Sequence, residues 1–252
     1  MQKNIICLLF VLCFSRFTAA QDLTGPEIIK TVNDQLNPET MWTRTKISVQ
    51  TSTGQERTFV YESWSKNHGE KNLIRYLEPA RLKDQTCLML NYADDIWMYF
   101  SRTNRVRKLA THAKKQKMEG SDFSYEDMGS GDSFIKDYTA SRLDDKKIDK
   151  KRCFQLELIK KPDAHISYSK LVMFVRQDNY VPIEVDYYEE NSNRKIKTLH
   201  QSEIQMIDSI PTAMKMVMID ELDHSQTEAE LLEVKYNLLL KDELFTERGM
   251  KP

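Results

Sequence analysis

The sequence predicts one large antiparallel β domain, and three features of the chain support this. Apolar and polar residues alternate over long stretches, which is the pattern of strands with one buried face. Between Met41 and Thr51, for example, Thr, Thr, Ile and Val alternate with Arg, Lys, Ser and Gln. No Pro-, Ser- or Gly-rich linker and no fixed-period repeat divides the chain. Helical segments do not alternate with strands, so a parallel sheet is not expected.

The predicted elements begin with a helix from Pro26 to Leu36. Pro26 suits a first helical turn, and the apolar residues at positions 28, 29, 32 and 36 share one face. Asn37 and Pro38 end the helix, which covers a core or plugs the mouth of a curved sheet. The rest of the chain is predicted as about eleven strands, with a last helical turn at Asp242 to Phe245.

The first 20 residues, Met1 to Ala20, are predicted to be a cleaved secretory signal. Lys3 precedes an apolar stretch, and small residues precede Gln21. The alternatives are an uncleaved anchor, for which about ten apolar residues are too few, since a bilayer needs about 20, and a lipid anchor at Cys13, which bulky Leu12 disfavours. We therefore expect residues 21–252 to form one exported, soluble, periplasmic domain.

Cleavage would leave two cysteines, Cys87 and Cys153. Exported proteins meet an oxidising compartment, so a disulfide is open, but the sequence does not give the distance between the thiols. The whole chain has a formal charge of −1, and loss of Lys3 and Arg16 makes it −3. This balance argues against nucleic acid as a partner.

The segment from Gly120 to Met128 lies at a reversal of charge. Residues 102–117 contain cations and no anion, whereas residues 119–132 contain anions and no cation. A glycine-bounded segment with two aromatic residues, Phe123 and Tyr125, is typical of a shaped functional loop. The simpler interpretation is a solvated turn that pairs with the basic segment before it.

Three methionines, Met214, Met216 and Met218, alternate along one predicted strand, and Met206 lies on the strand before it. A period of two places the three on one face. Methionine is flexible and polarisable, so such a stripe suits a surface for variable apolar ligands. An ordinary core filled by methionine is the alternative.

No catalytic motif is present in the sequence. It has no Gly-x-Ser-x-Gly elbow, His-Glu-x-x-His, phosphate-binding glycine loop or Cys-x-x-Cys, and its five histidines are scattered. Glu126 and Asp127 are adjacent carboxylates, but nothing supplies a nucleophile. We therefore expect a protein that is not an enzyme and that has no catalytic residue, metal or cofactor.

Several segments together resemble a known family. The run Ile96-Trp97-Met98-Tyr99-Phe100, the basic Arg105 to Lys108 and the block Gly120 to Met128 resemble the outer-membrane lipoprotein-sorting proteins, which are relatives of LolA. Weaker matches follow at residues 153–161, 168–170, 182–185, 197–199, 227 and 242–246. Phe100-Ser101 departs from a common Leu-Pro, and Lys108 stands where arginine is usual.

The resemblance implies a strongly curved antiparallel sheet, or incomplete β-barrel, with covering helices and an apolar groove for acyl chains. A barrel too wide for its own side chains encloses a cavity. We assign the groove to Met206, Met214, Met216, Met218, Trp97 and Tyr99. A lid over the groove would consist of Ser121, Asp122, Phe123, Tyr125, Glu126 and Asp127. Arg105 and Arg107 would be the ion-pair partners of this lid.

The function implied by the resemblance is a carrier that moves a lipoprotein or lipid towards the outer membrane. Its implied partners are an inner-membrane exporter of the RND or MMPL type and an outer-membrane acceptor. The alternative is a non-carrier periplasmic docking module, whose barrel is filled by its own side chains. Its basic segment, residues 102–117, would then bind a protein or anionic headgroups.

Overall fold

The computed structural model describes residues 23–129, 131, 133–190 and 192–252, and the predicted signal segment lies outside them. Its main feature is a curved, unclosed antiparallel sheet of thirteen strands. The strands are β1 Thr40–Gln50, β2 Glu56–Lys66, β3 Lys71–Glu78, β4 Thr86–Leu90, β5 Asp95–Phe100, β6 Arg105–Lys108, β7 Tyr138–Ile148, β8 Lys151–Lys160, β9 Tyr168–Arg176, β10 Pro182–Glu189, β11 Lys195–Ile207, β12 Ile210–Asp220 and β13 Ser225–Tyr236.

The strand order is β6-β5-β4-β3-β2-β1-β13-β12-β11-β10-β9-β8-β7. The chain builds one half of the sheet as a meander from β1 outwards to β6. It then crosses to the far edge and returns from β7 to β13, which pairs with β1. The predicted antiparallel, mainly β fold is therefore confirmed, and β6 and β7 are its two edges.

The strand count corrects the expected number of about eleven. The sequence interpretation misses β7, which is mostly polar and mostly exposed. An edge strand that buries little has no apolar alternation to reveal it, because it is held by its backbone pairing with β8.

The predicted first helix is present as α1, Gly25–Leu36. Thr24 caps it, and the backbone N–H of Thr24 donates to Glu27 Oε2 at 2.8 Å in a reciprocal capping box. Ile28, Ile29 and Val32 are buried beneath it. Gly25 permits close approach to β7, since a Cβ there would lie 2.9 Å from backbone atoms of residues 140–142.

Two apolar clusters lie on opposite faces of the sheet. The larger one lies on the inner face, the face that α1 covers, and extends across both halves of the sheet, from Tyr76 and Met98 in one half to Leu158 and Met173 in the other. The smaller one lies on the outer face around Leu73 and Leu88, where the C-terminal residues Phe245 and Met250 cover it. A 3₁₀ turn at Asp242–Phe245 confirms the predicted last helical turn.

Two short helices connect the halves of the sheet, α2 at Tyr125–Gly129 and α3 at Ser133–Asp137.

Cys87 and Cys153 are buried free thiols. In the described part of the chain, no helix is long and apolar enough to cross a membrane.

Candidate functional site

A cavity of about 310 Å³ lies on the inner face, lined mainly by strands β9 to β12 and also by Met41, Ser65 and Asn72 of β1 to β3. Alternate residues of these strands point into it, as the period of two requires. Most of its lining is apolar or aromatic. The strand residues that line it include Tyr168, Leu171, Met173, Pro182, Val185, Tyr187, Leu199, Gln201 and Met216.

The cover of the cavity comes from the helices. Leu36 and Asn37 at the end of α1 line one side, and Glu126, Asp127 and Met128 of α2 line another. The C-terminal end of α1 therefore contributes to the cavity wall, in agreement with its predicted covering position.

Glu126 stands between this cavity and a second pocket of about 250 Å³, since it and Ile166 line both. Its carboxylate accepts hydrogen bonds from the backbone N–H of Ser167, at 2.8 Å, and from the Ser167 hydroxyl. Burial raises the pKa of Glu126 above its ordinary value, and the hydrogen bonds from Ser167 oppose this only in part.

Asp127 is held at the cavity edge by a network of hydrogen bonds between largely buried side chains. Tyr168 Oη donates to Asp127 Oδ1 at 2.8 Å, and Lys197 Nζ donates to Asp127 Oδ2 at 3.1 Å and to Tyr168 Oη at 3.2 Å. Burial, reinforced by the nearby Asp127 carboxylate, raises the pKa of Tyr168 well above its usual range. The phenol therefore stays a neutral donor, and α2 is tied to β9 and β11.

Asp122 fixes the other end of the segment to β13. It accepts hydrogen bonds from the hydroxyls of Ser225, at 2.6 Å, and Thr227, at 2.7 Å, and its backbone N–H donates to Thr227 Oγ1 at 2.8 Å. Its carboxylate is 3.0 Å from Lys117 Nζ.

Lys117 gathers three carboxylates around one ammonium group, because Asp220 and Asp223 also lie within 2.9 and 2.6 Å of it. Burial alone would lower the pKa of Lys117, but the hydrogen bonds to these three carboxylates raise it overall. The segment from Ser121 to Asp127 is thus attached at both ends by charged, largely buried groups.

The ion pairs of the segment differ from the expected ones. Arg105 and Arg107 are exposed on the edge strand β6, and in the described part of the chain neither pairs with a carboxylate of residues 121–127. Lys117 and Lys197 occupy that role. The reason is geometric, since β6 is at the edge of the sheet whereas residues 121–127 reach across to β11 and β13.

The predicted lid residues occupy buried positions rather than a solvated turn. Phe123 and Tyr125 belong to the inner cluster, where the Tyr125 hydroxyl lies 4.0 Å from Met98 Sδ. The Ser121 hydroxyl donates to the carbonyl of Phe123 at 3.2 Å. Of the six predicted residues, Glu126 and Asp127 line the cavity.

The predicted methionine stripe is divided by the structure. Met216 lines the cavity, and Met218 is fully buried in the inner cluster. Met214 is half-buried and is not among the cavity-lining residues. Met206 is 65% exposed, because its partner in the register is Pro211, which places it on the opposite face from Met214, Met216 and Met218.

Trp97 and Tyr99 also lie away from the cavity. Both side chains belong to the outer cluster, together with Phe245 and Met250. Their neighbours Ile96 and Met98 are the β5 residues that reach the inner cluster. The period of two along β5 therefore separates this aromatic pair from the inner face.

Tyr168, Tyr187 and Lys197 are site residues that the sequence interpretation does not single out. The rings of Tyr168 and Tyr187 meet edge to face, 4.8 Å apart. Lys197 shares its strand face with Leu199 and Gln201, so an inward-facing charge in an apolar alternation was the available signal. The described residues contain no group of three or more His, Cys, Asp and Glu arranged to hold a metal.

The chain resembles known proteins in sequence and in fold. The model of a DUF1329-like family, described as "Uncharacterized protein", matches residues 68–252. The chain belongs to this family. No curated protein matches the DUF1329-like chain significantly.

Three solved structures have the same fold as this DUF1329-like chain. A DUF1329 family protein from Desulfovibrio piger is 24% identical with a TM-score of 0.83, and the match covers 90% of this chain and 98% of that one. An outer membrane lipoprotein-sorting protein domain from Vibrio parahaemolyticus is 23% identical, with a TM-score of 0.79 and coverage of 90% and 98%.

A LolA superfamily protein from Nitrosomonas europaea is 22% identical to the DUF1329-like chain. Its TM-score is 0.76, and the match covers 90% of this chain and 99% of that one. The fold is therefore that of the lipoprotein-sorting, LolA-like proteins, as the sequence resemblance implies.

Proposed function

We propose that this protein is a periplasmic carrier that binds the acyl chains of a lipoprotein or lipid and moves them towards the outer membrane. The observation that carries the proposal is the cavity of about 310 Å³ on the inner face, with Leu171, Met173 and Val185 in its wall. An acyl chain needs no directional polar partner, and each buried methylene contributes about 0.8 kcal/mol. The lipoprotein-sorting neighbours share this fold, which supports the proposal by analogy.

The size of the cavity bears on how loading would occur. Ligand pockets commonly range from about 300 to 1,000 Å³, so this cavity is at the small end. A long acyl chain therefore requires the cover to move. The residues of the cover that border the cavity are at the end of α1 and in α2, and we propose that α2 is the part that opens.

The pocket of about 250 Å³ beside Glu126 indicates towards which side the cavity would open. Glu126 and Ile166 separate it from the cavity, and its remaining lining includes the charged residues Asp94, Lys114 and Asp137. Movement of Glu126 away from Ser167 would join the two spaces. An acyl chain would then occupy the apolar cavity while its polar headgroup remained in the charged pocket.

Native mass spectrometry of the protein isolated from its own periplasm tests this function. We expect a bound mass that organic extraction releases as an acylated molecule. A bare polypeptide mass that is unchanged after incubation with lipid vesicles would contradict the carrier proposal and favour the non-carrier docking module. The inner cluster of buried side chains, which extends across both halves of the sheet, is the observation that keeps this second function open.

The proposed partners follow from the carrier function. A cargo taken from the inner membrane needs a donor there, for which we propose an exporter of the RND or MMPL type, and it needs an outer-membrane acceptor. Crosslinking in the periplasm, followed by mass spectrometry of membrane partners, tests this. Recovery of partners from neither membrane would contradict it.

A further inference from the structure

Another, chemically different pocket lies at the β6 edge of the sheet. It has a volume of about 270 Å³ and is formed by the β5–β6 hairpin and the loop that precedes β4. The residues that line it are Arg81, Gln85, Phe100, Ser101, Arg102, Thr103 and Arg107. None of these seven belongs to the lining of the apolar cavity.

The charge of this pocket is entirely positive. Arg81, Arg102 and Arg107 line it, and no carboxylate does. In the part of the chain that the structure describes, none of the three guanidinium groups forms an ion pair. Lys108 on the same edge strand, by contrast, pairs with Asp95 at 2.5 Å. Three unpaired cations around one pocket favour the binding of an anion.

The carboxylates of Asp84, which lies in the loop before β4, and of Asp95 and Glu119 form no ion pair with the three arginines in the described part of the chain. Glu119 accepts a hydrogen bond from Gln85 Nε2 at 2.9 Å and none from the three guanidinium groups. Asp95 is engaged by Lys108 and by Asn91 Nδ2, which lies at 2.7 Å. The guanidinium groups therefore keep their donors for a ligand.

The pocket wall is held in place by the surrounding structure. The Ser101 hydroxyl donates to the carbonyl of Lys83 at 2.8 Å, which joins the hairpin to the preceding loop. The backbone N–H of Thr103 donates to the carbonyl of Phe100 at 3.1 Å, which closes the turn. Arg107 lies over the Phe100 ring, with Cζ 6.0 Å from its centre, and this orients the guanidinium group.

We propose that this pocket binds a phosphate-bearing anionic group, such as the headgroup of an anionic phospholipid. Guanidinium groups bind phosphate oxygens in pairs through their planar fork of donors. Phe100 offers an apolar wall to a glycerol backbone, and Thr103 adds a hydroxyl at the rim. This site takes no part in acyl binding in the cavity, so its test does not depend on the carrier proposal.

Paired binding measurements test the site. Glycerol 3-phosphate is titrated by calorimetry, and sedimentation is measured with phosphatidylcholine vesicles with and without phosphatidylglycerol. The test variant is Arg102→Gln/Arg107→Gln. The control is Lys146→Gln/Lys147→Gln, which removes two exposed cations from the opposite edge strand β7. Circular dichroism establishes that both variants remain folded.

We expect the wild-type protein and the control to bind the phosphate-bearing probe, and the test variant to bind at least about tenfold more weakly, because it lacks two of the three charge-assisted donors. Binding to phosphatidylglycerol vesicles identifies a lipid headgroup as the source, whereas binding to glycerol 3-phosphate alone identifies a soluble phosphate ester. Equal weakening of both variants, or no binding of either probe, would overturn the proposal.

Discussion

Asp127 and Lys197 form an ion pair of 3.1 Å at the edge of the cavity, although their side chains are only 3% and 10% exposed. The pair connects α2 to β11, and Tyr168 of β9 bonds to both partners. Desolvation offsets most of the attraction within such a buried pair. Removal of one partner, however, leaves the other charge buried and destabilises the folded state. The pair therefore ties α2 to β11, and in the opening that we propose it is the contact that must break.

Removal of one member of this ion pair should destabilise the protein strongly. Asp127→Ala leaves the buried Lys197 ammonium without a carboxylate partner, so we expect the free energy of unfolding to fall by about 3–5 kcal/mol. Urea denaturation measures the change. The control is Asp34→Ala, which breaks the exposed pair with Lys30 on α1 and should cost no more than about 1 kcal/mol.

The double variant Asp127→Leu/Lys197→Met separates charge from packing. Because it removes both buried charges, it should recover most of the stability that Asp127→Ala loses. Equal losses in Asp127→Ala and Asp34→Ala would show that the buried pair has no special role.

The attachment of the segment to β13 predicts a local effect of Thr227→Val. This substitution keeps the shape of the side chain but removes the hydroxyl that donates to Asp122 and accepts from its backbone N–H. An unsatisfied buried group costs about 1–3 kcal/mol. We expect faster hydrogen exchange in residues 120–128 and little change in β7 and β8.

The matched control for this experiment is Thr58→Val on the exposed part of β2. It makes the same chemical change where no buried partner is lost. Exchange in residues 120–128 that is as slow in Thr227→Val as in Thr58→Val would show that Asp122 does not hold the segment.

Much of the architecture is predictable from local patterns. Pro26 and the spacing of Ile28, Ile29 and Val32 predict α1, because a proline in the first turn and a one-sided apolar face are properties of neighbouring residues. Alternation predicts the strands that bury one face. It fails for β7, whose residues bury little and whose existence depends on pairing with a partner strand.

The site is less predictable, because it depends on which strands become neighbours. Period two groups Met214, Met216 and Met218 correctly, but only the register with β11 shows that Met206 lies on the other face. The partners of Asp122 and Asp127 are 105 and 70 residues away at Thr227 and Lys197. Local charge patterning points instead to the nearby basic segment.

The raised pKa of Glu126 predicts a specific pH dependence of stability. The folded state binds a proton more tightly than the unfolded state, so this group lowers the free energy of unfolding as the pH rises from its ordinary value of 4.5 through the raised pKa. Below pH 4.5 the carboxyl group is protonated in both states, so the free energy of unfolding no longer depends on pH through this group.

Glu126→Gln removes this titration while its side chain can still bond to Ser167. We expect the stability of Glu126→Gln to exceed that of the wild type increasingly as the pH rises through this window, as measured by urea denaturation from pH 4 upwards. Glu56→Gln, at the exposed start of β2, is the charge-neutralising control. Parallel stability curves for wild type and Glu126→Gln would contradict the assignment.

Two methionines of the predicted stripe offer a direct comparison for the cavity. Met216→Glu places a carboxylate in the apolar wall, whereas Met206→Glu places the same group on the opposite face, at a position that is already 65% exposed. A charge in an apolar site is costly unless it is paired, so acyl chains should be excluded from the first variant alone. We expect lipid loading, measured by native mass spectrometry, to fall at least about tenfold in Met216→Glu and to be unchanged in Met206→Glu. Equal loading of the two variants would place the acyl chains outside this cavity.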